Sequence, residues 1–92
     1  MLPKSILIGG VRWKIRELVK MEEKGYAEED ELRITICKKL SDENKRLILL
    51  HEVLHACVSC GGEEKKTYTE EEFILRIQAP LLGFLKTYSF KD

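Results

Sequence analysis

Two histidines and one glutamate stand at a spacing that suits metal chemistry. His51, Glu52 and His55 belong to the segment HEVLH. On an α-helix, positions four apart lie on the same face one turn apart, so both imidazoles could reach a single ion. Glu52 would lie about 100° around the helix from His51, which places its carboxylate beside the ion rather than on it. The spacing therefore predicts a metal site with a base next to it.

The chemistry of such a site is hydrolytic. Imidazole nitrogens are common ligands of zinc, and zinc lowers the pKa of a bound water towards about 7. Glu52 would accept the proton of that water as hydroxide attacks a peptide carbonyl. This mechanical logic makes HExxH on a helix a zinc-peptidase signature. We therefore expect Zn²⁺ as cofactor, His51 and His55 as ligands and Glu52 as the catalytic base. The simpler alternative, two core histidines on a metal-free helix, would leave Glu52 buried at a cost and without a role.

A catalytic zinc site needs a third protein ligand as well as an open position. The chain contains only 2 histidines, so the third ligand must be another residue type. The best source is the run Glu70-Glu71-Glu72, at the start of the last predicted helix. Acidic residues are also common there because the helix dipole favours them, and Glu72 could form a capping box with Thr69. Helical periodicity does not choose between Glu70 and Glu71.

Three strands are predicted before HEVLH. Residues 5–19 read SILIGGVRWKIRELV, in which apolar and charged positions alternate around Gly9-Gly10. This pattern is typical of a β-hairpin on a two-residue glycine turn. Residues 20–31 are acidic and lack a sustained period, so a loop is expected there. Residues Leu32–Ile36 alternate again and predict the third strand.

Two helices are predicted after the strands. Ser41 is a good N-cap for the helix that carries HEVLH. From Leu47 to Val58 this helix is apolar nearly all the way round, so we expect it to be buried on most sides and to end at Gly61-Gly62. A last helix is expected from about Thr69, with Pro80 kinking or dividing it. Its predicted apolar face consists of Phe73, Ile74, Ile77, Leu81, Leu82 and Leu85.

Length and composition restrict the possible classes of protein. The 92 residues predict a single α+β domain spanning residues 1–92. The 16 basic and 16 acidic residues cancel, which gives no general attraction to nucleic acid or to an anionic membrane. The apolar stretch near residue 6 is too short for a secretory signal, and none approaches the roughly 20 residues of a membrane span. Three cysteines provide no even disulfide framework, so a cytoplasmic protein is expected.

The order of these features resembles a known family. The chain resembles the small zincin-like metallopeptidase domains of phages and prophages, which are relatives of the ImmA/IrrE-like group. The resemblance lies in the order of a glycine-turn hairpin, a strand, a helix with LLHEVLHA and a last helix that opens with EExxI. The resemblance covers nearly the whole chain, although only LLHEVLHA is highly specific. It implies a minimal zincin, with a short three-stranded twisted antiparallel or mixed sheet packed on the HExxH helix and a C-terminal helix. It also implies Glu71, three residues before Ile74, as the third ligand.

The resemblance implies a function as well. The chain would be a small zinc-dependent metallopeptidase that hydrolyses a peptide bond in a protein or peptide substrate, with the Leu32–Ile36 strand bordering the cleft and pairing with the substrate. The alternative is a catalytically inactive, zinc-stabilised protein-interaction module of phage or prophage origin. The chain departs from the family in two respects. It has Gln78-Ala79-Pro80 where the family often has a small residue after the first apolar turn of the last helix. No clear oxyanion-stabilising residue is evident among Tyr26, Tyr68 and Tyr88, which weakens the case for catalysis more than the case for zinc binding.

Overall fold

The computed structural model describes residues 2–60 and 68–87, without the side chains of residues 60, 68 and 69. The described elements are β1 (Ser5–Ile8), β2 (Val11–Leu18), β3 (Gly25–Glu28), β4 (Arg33–Cys37), α1 (Asp42–Cys60) and α2 (Tyr68–Thr87). The strand order is β1-β2-β4-β3, with a central parallel pair, β2 and β4, between two antiparallel pairs. The α+β class is therefore confirmed, whereas the described sheet has four strands instead of the predicted three.

The predicted hairpin is present, and its turn explains the two glycines. Gly9 and Gly10 have φ angles of 58° and 79°. A two-residue turn with both φ angles positive matches the right-handed twist of the strands that it joins, and glycine adopts that conformation without steric cost. Ile6 pairs with Trp13 across the hairpin, and Trp13 is only 2% exposed. The hairpin therefore contributes its apolar face to the core.

The strand that sequence analysis missed is β3, which lies inside the predicted loop of residues 20–31. Its sequence, GYAE, lacks apolar alternation because the positions that face α1 are Gly25 and Ala27. A Cβ atom at Gly25 would lie 2.6 Å from Cγ2 of Ile48 and 3.1 Å from the carbonyl oxygen of Thr35. Small residues thus allow a close approach between strand and helix. The intrinsic β-propensity of glycine and alanine is low, so pairing with β4 stabilises the strand conformation of this segment.

This close approach predicts that Gly25→Ala destabilises the fold. The added methyl group must displace Ile48 or the backbone of β4, and overpacking of this kind costs about 1–3 kcal/mol of unfolding free energy. The matched control is Gly83→Ala in α2, where an added Cβ meets nothing within 4 Å. That change should be neutral or stabilising because alanine is the better helix former. Urea unfolding of both variants tests the prediction, and equal stabilities would contradict it.

The strand expected at Leu32–Ile36 is present as β4, but its place in the sheet differs from the expectation. Leu32 has a φ angle of 51° and precedes the strand. β4 pairs with β2 on one side and with β3 on the other, so both of its edges are occupied. The prediction that this strand pairs with an extended substrate is therefore wrong. The edge strand on that side of the sheet is β3.

Helix α1 forms the middle layer of the fold. Ser41 caps it as predicted, with its hydroxyl oxygen accepting a hydrogen bond from the backbone N–H of Asn44 at 3.2 Å. One side of α1 contacts the sheet and another contacts α2. Residues 47–55 are accordingly half-buried and Ala56 is fully buried. Contact on two sides explains why the helix is apolar nearly all the way round, and the expected stop at Gly61-Gly62 lies outside the described residues.

Helix α2 runs antiparallel to α1. Near its C-terminus, Nζ of Lys86 lies 2.9 Å from a carboxylate oxygen of Glu43 in the first turn of α1. Pro80 lies within a continuous helix and does not divide it. Of the predicted apolar face, Ile74 is 1% exposed, whereas Phe73 is 61% exposed and therefore lies outside the packed stripe. Neither described helix is long and apolar enough to cross a membrane.

Candidate metal centre

The two helices bring together three side chains that could hold a metal ion. One ligand atom from each of His51, His55 and Glu71 lies within 4.8 Å of the other two. Nε2 of His55 is 2.7 Å from Oε1 of Glu71, and Nε2 of His51 is 3.3 Å from the same oxygen. The imidazoles come from successive turns of α1, and their ring centroids are 4.9 Å apart. Both Nε2 atoms therefore face one carboxylate.

The other nitrogen of each imidazole is held by α2. Nδ1 of His51 lies 2.6 Å from Oε1 of Gln78, and Nδ1 of His55 lies 2.6 Å from Oε2 of Glu70. Amide and carboxylate oxygens only accept hydrogen bonds, so each Nδ1 is the donor. A neutral imidazole that donates from Nδ1 presents a lone pair at Nε2, which is the tautomer that a metal ion on the Glu71 side requires. The two contacts also fix the orientation of both rings.

The choice among the three consecutive glutamates follows from helix geometry. Neighbouring residues on a helix point about 100° apart, and Glu70 and Glu71 accordingly reach different ring nitrogens of His55. Glu71 faces both Nε2 atoms, whereas Glu70 lies behind His55 and is only 10% exposed at its side chain. The second carboxylate oxygen of Glu70 is buried without a hydrogen-bond partner in the described part of the chain. Glu72 is exposed and lies outside the group.

Sequence reasoning missed the contribution of Gln78. The segment Gln78-Ala79-Pro80 was noted only as a departure from the family pattern, yet the amide oxygen of Gln78 accepts the hydrogen bond from His51. The sequence could have indicated this contact, because Gln78 lies seven residues after Glu71 and the two therefore share one face of α2. The departure therefore supplies an orienting contact.

The spacing of the three ligand atoms can be compared with the geometry of a zinc ion. Tetrahedral ligands at about 2.0–2.1 Å from zinc lie about 3.4 Å from one another. The 3.3 Å separation between His51 and Glu71 is close to this value, and the 2.7 Å separation between His55 and Glu71 would need to lengthen by roughly 0.7 Å. The side chain of Glu71 is 48% exposed, so a small rotation could achieve this. The group could thus hold a divalent metal ion with zinc-compatible ligand types.

Without metal, a proton takes the place that the ion would have on His55. Both of its ring nitrogens lie against carboxylates, so hydrogen bonding at both requires the imidazolium form. Burial lowers the pKa of His55, but hydrogen bonds to Glu70 and Glu71 outweigh burial and raise this pKa above its ordinary value. A metal ion would therefore have to displace this proton.

This protonation predicts how the stability of the metal-free protein depends on pH. Because the folded-state pKa of His55 is raised, the resulting stabilisation is complete below the unfolded-state pKa and is lost as pH rises through the folded-state value. We expect chelator-treated protein to unfold at lower urea concentration at about pH 8 than at about pH 6, with less difference in His55→Asn. Added zinc should restore stability at the higher pH, because zinc and a proton compete for the same nitrogen of His55 and fewer protons are bound there. Equal pH dependence in both proteins would contradict this assignment.

Glu52 lines the same clefts as His51 and is close enough to both histidines for their charges to act on its carboxyl. Burial raises the pKa of its carboxyl above the ordinary value, while the nearby His51 and His55 lower it and the carboxylates of Glu71 and Glu23 raise it further. The net result is a raised pKa. A general base works best when its pKa approaches the working pH, so the shift is in a useful direction.

Two clefts meet at this group and share Gly25, His51 and Glu52 in their walls. The first cleft has a volume of about 440 Å³, and its other wall residues are Lys24, Leu40, Asn44, Leu47, Ile48, Leu75 and Gln78. The second has a volume of about 320 Å³, and its other wall residues are Glu23, Tyr26, Ala27, Glu29, His55, Ala56 and Glu71. Together they form a groove that passes the metal-binding group between β3 and the helices.

Tyr26 is not placed to stabilise an oxyanion at this group. Alternate residues of a strand point to opposite faces, and its neighbours Gly25 and Ala27 face α1. The hydroxyl of Tyr26 instead accepts a hydrogen bond from Arg16 at 3.3 Å, and Arg16 also donates to Thr35 at 3.2 Å on the outer face of the sheet. The side chain of Tyr68 and all of Tyr88 lie outside the described residues.

Comparisons of this chain with protein-family models, with curated proteins and with solved structures found no match. The resemblance to zincin-like domains therefore stays a prediction from the sequence. Three described side chains, His51, His55 and Glu71, converge at the candidate metal centre with Glu52 beside them. Glu71 lies more than 15 positions after both histidines in the sequence, so the HEVLH motif alone does not specify that it meets them.

Proposed function

We propose that this protein is a zinc-dependent metallopeptidase of minimal zincin type. The observation that carries the proposal is the approach of one carboxylate, from Glu71, to the Nε2 atoms of both HEVLH histidines. A pair of inert core histidines would not need a half-exposed glutamate between them. Glu52 lies next to this group at the meeting point of two clefts, where a substrate could reach it.

Each residue has a defined role in this proposal. His51, His55 and Glu71 would hold the ion, while Gln78 and Glu70 orient the two imidazoles. A bound zinc ion supplies Lewis acidity, which acidifies water and polarises a carbonyl oxygen. The Glu52 carboxylate accepts a proton from the attacking water and then donates it to the leaving amine of the cleaved peptide bond.

The edge of β3 suits an extended peptide substrate. The backbone N–H of Cys37 donates to the carbonyl oxygen of Lys24 at 2.9 Å, which makes this a hydrogen-bonded pair of the antiparallel ladder. Such pairs alternate along a ladder, so the backbone groups of Gly25 and Ala27 point away from β4 towards the free edge. A peptide could add there as a further strand. This role passes from β4, to which sequence analysis assigned it, to β3.

One observation favours a second candidate, a zinc-stabilised interaction module without turnover. The hydroxyl of Tyr26 points away from the metal-binding group, so it supplies no oxyanion donor. The two candidates share the zinc site and the peptide groove, and differ only in the chemical step. Glu52 therefore distinguishes them.

The test compares zinc-loaded wild type with zinc-loaded Glu52→Gln. Each protein is incubated with a complex mixture of peptides, and new termini are identified by mass spectrometry. We expect cleavage by the wild type and none above background by the variant, because glutamine cannot accept the proton. Zinc binding without new termini in the wild type would favour the interaction module.

A further inference from the structure

The two halves of the groove differ in chemistry, and this difference has a consequence for the substrate. We propose that the groove selects peptides with a basic residue on the N-terminal side of the scissile bond and an apolar residue on its C-terminal side. This inference rests on the proposed function. It names the class of peptide that the same site would bind.

The half of the groove beside the N-terminal part of α1 is mainly apolar. Leu40, Leu47, Ile48 and Leu75 line it, and Leu75 is 53% exposed although it is a large apolar side chain. An apolar substrate side chain placed there would remove apolar surface from water on both sides of the contact. Lys24 also lines this half and would repel a basic side chain.

The half of the groove beside the C-terminal part of α1 is acidic. Glu23 and Glu29 line it beside the proposed metal ligand Glu71, and no Lys or Arg stands among the described residues of its wall. Glu29 is held in position by Ser59, whose hydroxyl donates to its carboxylate at 2.8 Å. Glu23 lines the same cleft as His51 and Glu52, so its negative charge lies on the path of a substrate that passes the metal-binding group.

The edge strand gives the substrate a direction. β3 runs from Gly25, where an added Cβ would lie 2.6 Å from Ile48 of the apolar half, towards Glu29, to which Ser59 donates at the acidic half. Glu23 precedes the strand, and it lines the acidic half. Antiparallel pairing is slightly more stable per residue than parallel pairing, so we infer that the peptide runs opposite to β3. Its N-terminal part then lies in the acidic half and its C-terminal part in the apolar half, with the scissile bond near His51 and Glu52.

Four synthetic peptides test this polarity. They share one flanking sequence of glycine and alanine, and their central pairs are Arg-Leu, Leu-Arg, Gln-Leu and Arg-Gln. Binding is measured by fluorescence anisotropy with zinc-loaded Glu52→Gln, and cleavage is measured with the wild type. We expect Arg-Leu to be preferred over Leu-Arg by about tenfold in both measurements, because reversal loses the contacts in both halves.

The decisive variant is Glu23→Gln, introduced into the Glu52→Gln background. It should weaken binding of the Arg-Leu peptide by about threefold to fivefold and leave binding of the Gln-Leu peptide unchanged, since only the former carries the charge. The control is Glu22→Gln, a neighbouring exposed glutamate that does not line either cleft. It should change neither peptide. Raised salt should reduce the difference between Arg-Leu and Gln-Leu because it screens the charge pair.

The outcomes separate this inference from the proposed function. Glu23-dependent binding of Arg-Leu without cleavage by the wild type would support the polarity and contradict the peptidase. Cleavage with equal rates for all four peptides, or with Leu-Arg preferred, would overturn the polarity and leave the peptidase intact. Failure of all four peptides to bind zinc-loaded Glu52→Gln would also overturn the polarity.

Discussion

Purified protein is expected to contain about one zinc ion per chain, and Glu71→Ala or His55→Ala should lose it. These side chains supply two of the three atoms that converge at the site. Loss of an outer hydrogen-bonding partner typically reduces metal affinity by about 10- to 100-fold, and loss of a direct ligand should reduce it by more. Elemental analysis of untagged protein gives the stoichiometry, and competition with a chromogenic chelator gives the affinity.

Consecutive glutamates provide matched controls for this prediction. Glu72→Ala removes the same side chain one position further along α2, where it is exposed and outside the group, and should retain the metal. Glu70→Ala removes the partner of Nδ1 of His55, and Gln78→Ala removes the partner of Nδ1 of His51. Both should give the intermediate loss of about 10- to 100-fold. Equal affinities for Glu71→Ala and Glu72→Ala would refute the ligand set.

Metal binding should also stabilise the fold. The three groups that face the ion come from two helices, so an ion held between them would favour the packed state of α2 against α1. We expect chelator to lower the melting temperature of the wild type and to leave Glu71→Ala unchanged. A metal-free interaction domain would show no change in either protein, so the comparison is informative even before a substrate is known.

Local sequence rules predicted the parts of the fold that local interactions determine. Gly9 and Gly10 predicted the hairpin because few other residues adopt two successive positive φ angles. Ser41 predicted the start of α1 because its hydroxyl can accept a free N–H of the first turn. The all-round apolar character of α1 predicted burial, and the structure explains it by contact with the sheet on one side and α2 on another.

The features that sequence analysis missed depend on tertiary contacts. β3 has no apolar alternation because Gly25 must leave room for Ile48, so its residues resemble those of a loop. The order of strands was equally inaccessible: the alternation of Leu32–Ile36 predicts a strand but not the two neighbours between which it lies. This error had a functional consequence because it assigned the free edge to β4 instead of β3.

The candidate site shows the same division. The spacing in HEVLH specifies that His51 and His55 share one face of α1, because both residues belong to one helix. It does not specify which residues of a second helix meet that face. The choice of Glu71 over Glu70 as the residue facing both Nε2 atoms, and the contact between Gln78 and His51, depend on how α2 packs against α1.

Glu52→Gln should lower kcat/KM for peptide hydrolysis by about 10²- to 10⁴-fold while leaving zinc affinity nearly unchanged. Glutamine has almost the shape of glutamate and can occupy the same half-buried position, but its amide cannot accept a proton at neutral pH. Glu52 is not among the three residues whose ligand atoms converge, so the metal site should survive the change. Hydrolysis and zinc content measured on the same preparation test both parts of the prediction.

The control for this comparison is Glu22→Gln, which makes the same chemical change at an exposed position outside both clefts and should leave hydrolysis at the wild-type rate. Because the pKa of Glu52 is raised, wild-type activity should also increase as pH rises through that pKa, and this acidic limb should be absent from any residual activity of Glu52→Gln. If the residual activity of Glu52→Gln still increased with pH over the same range, the acidic limb would belong to the titration of another group. Hydrolysis by zinc-loaded Glu52→Gln at the wild-type rate would show that Glu52 is not the base. The substitution removes the ability of the side chain to accept a proton and changes its shape very little.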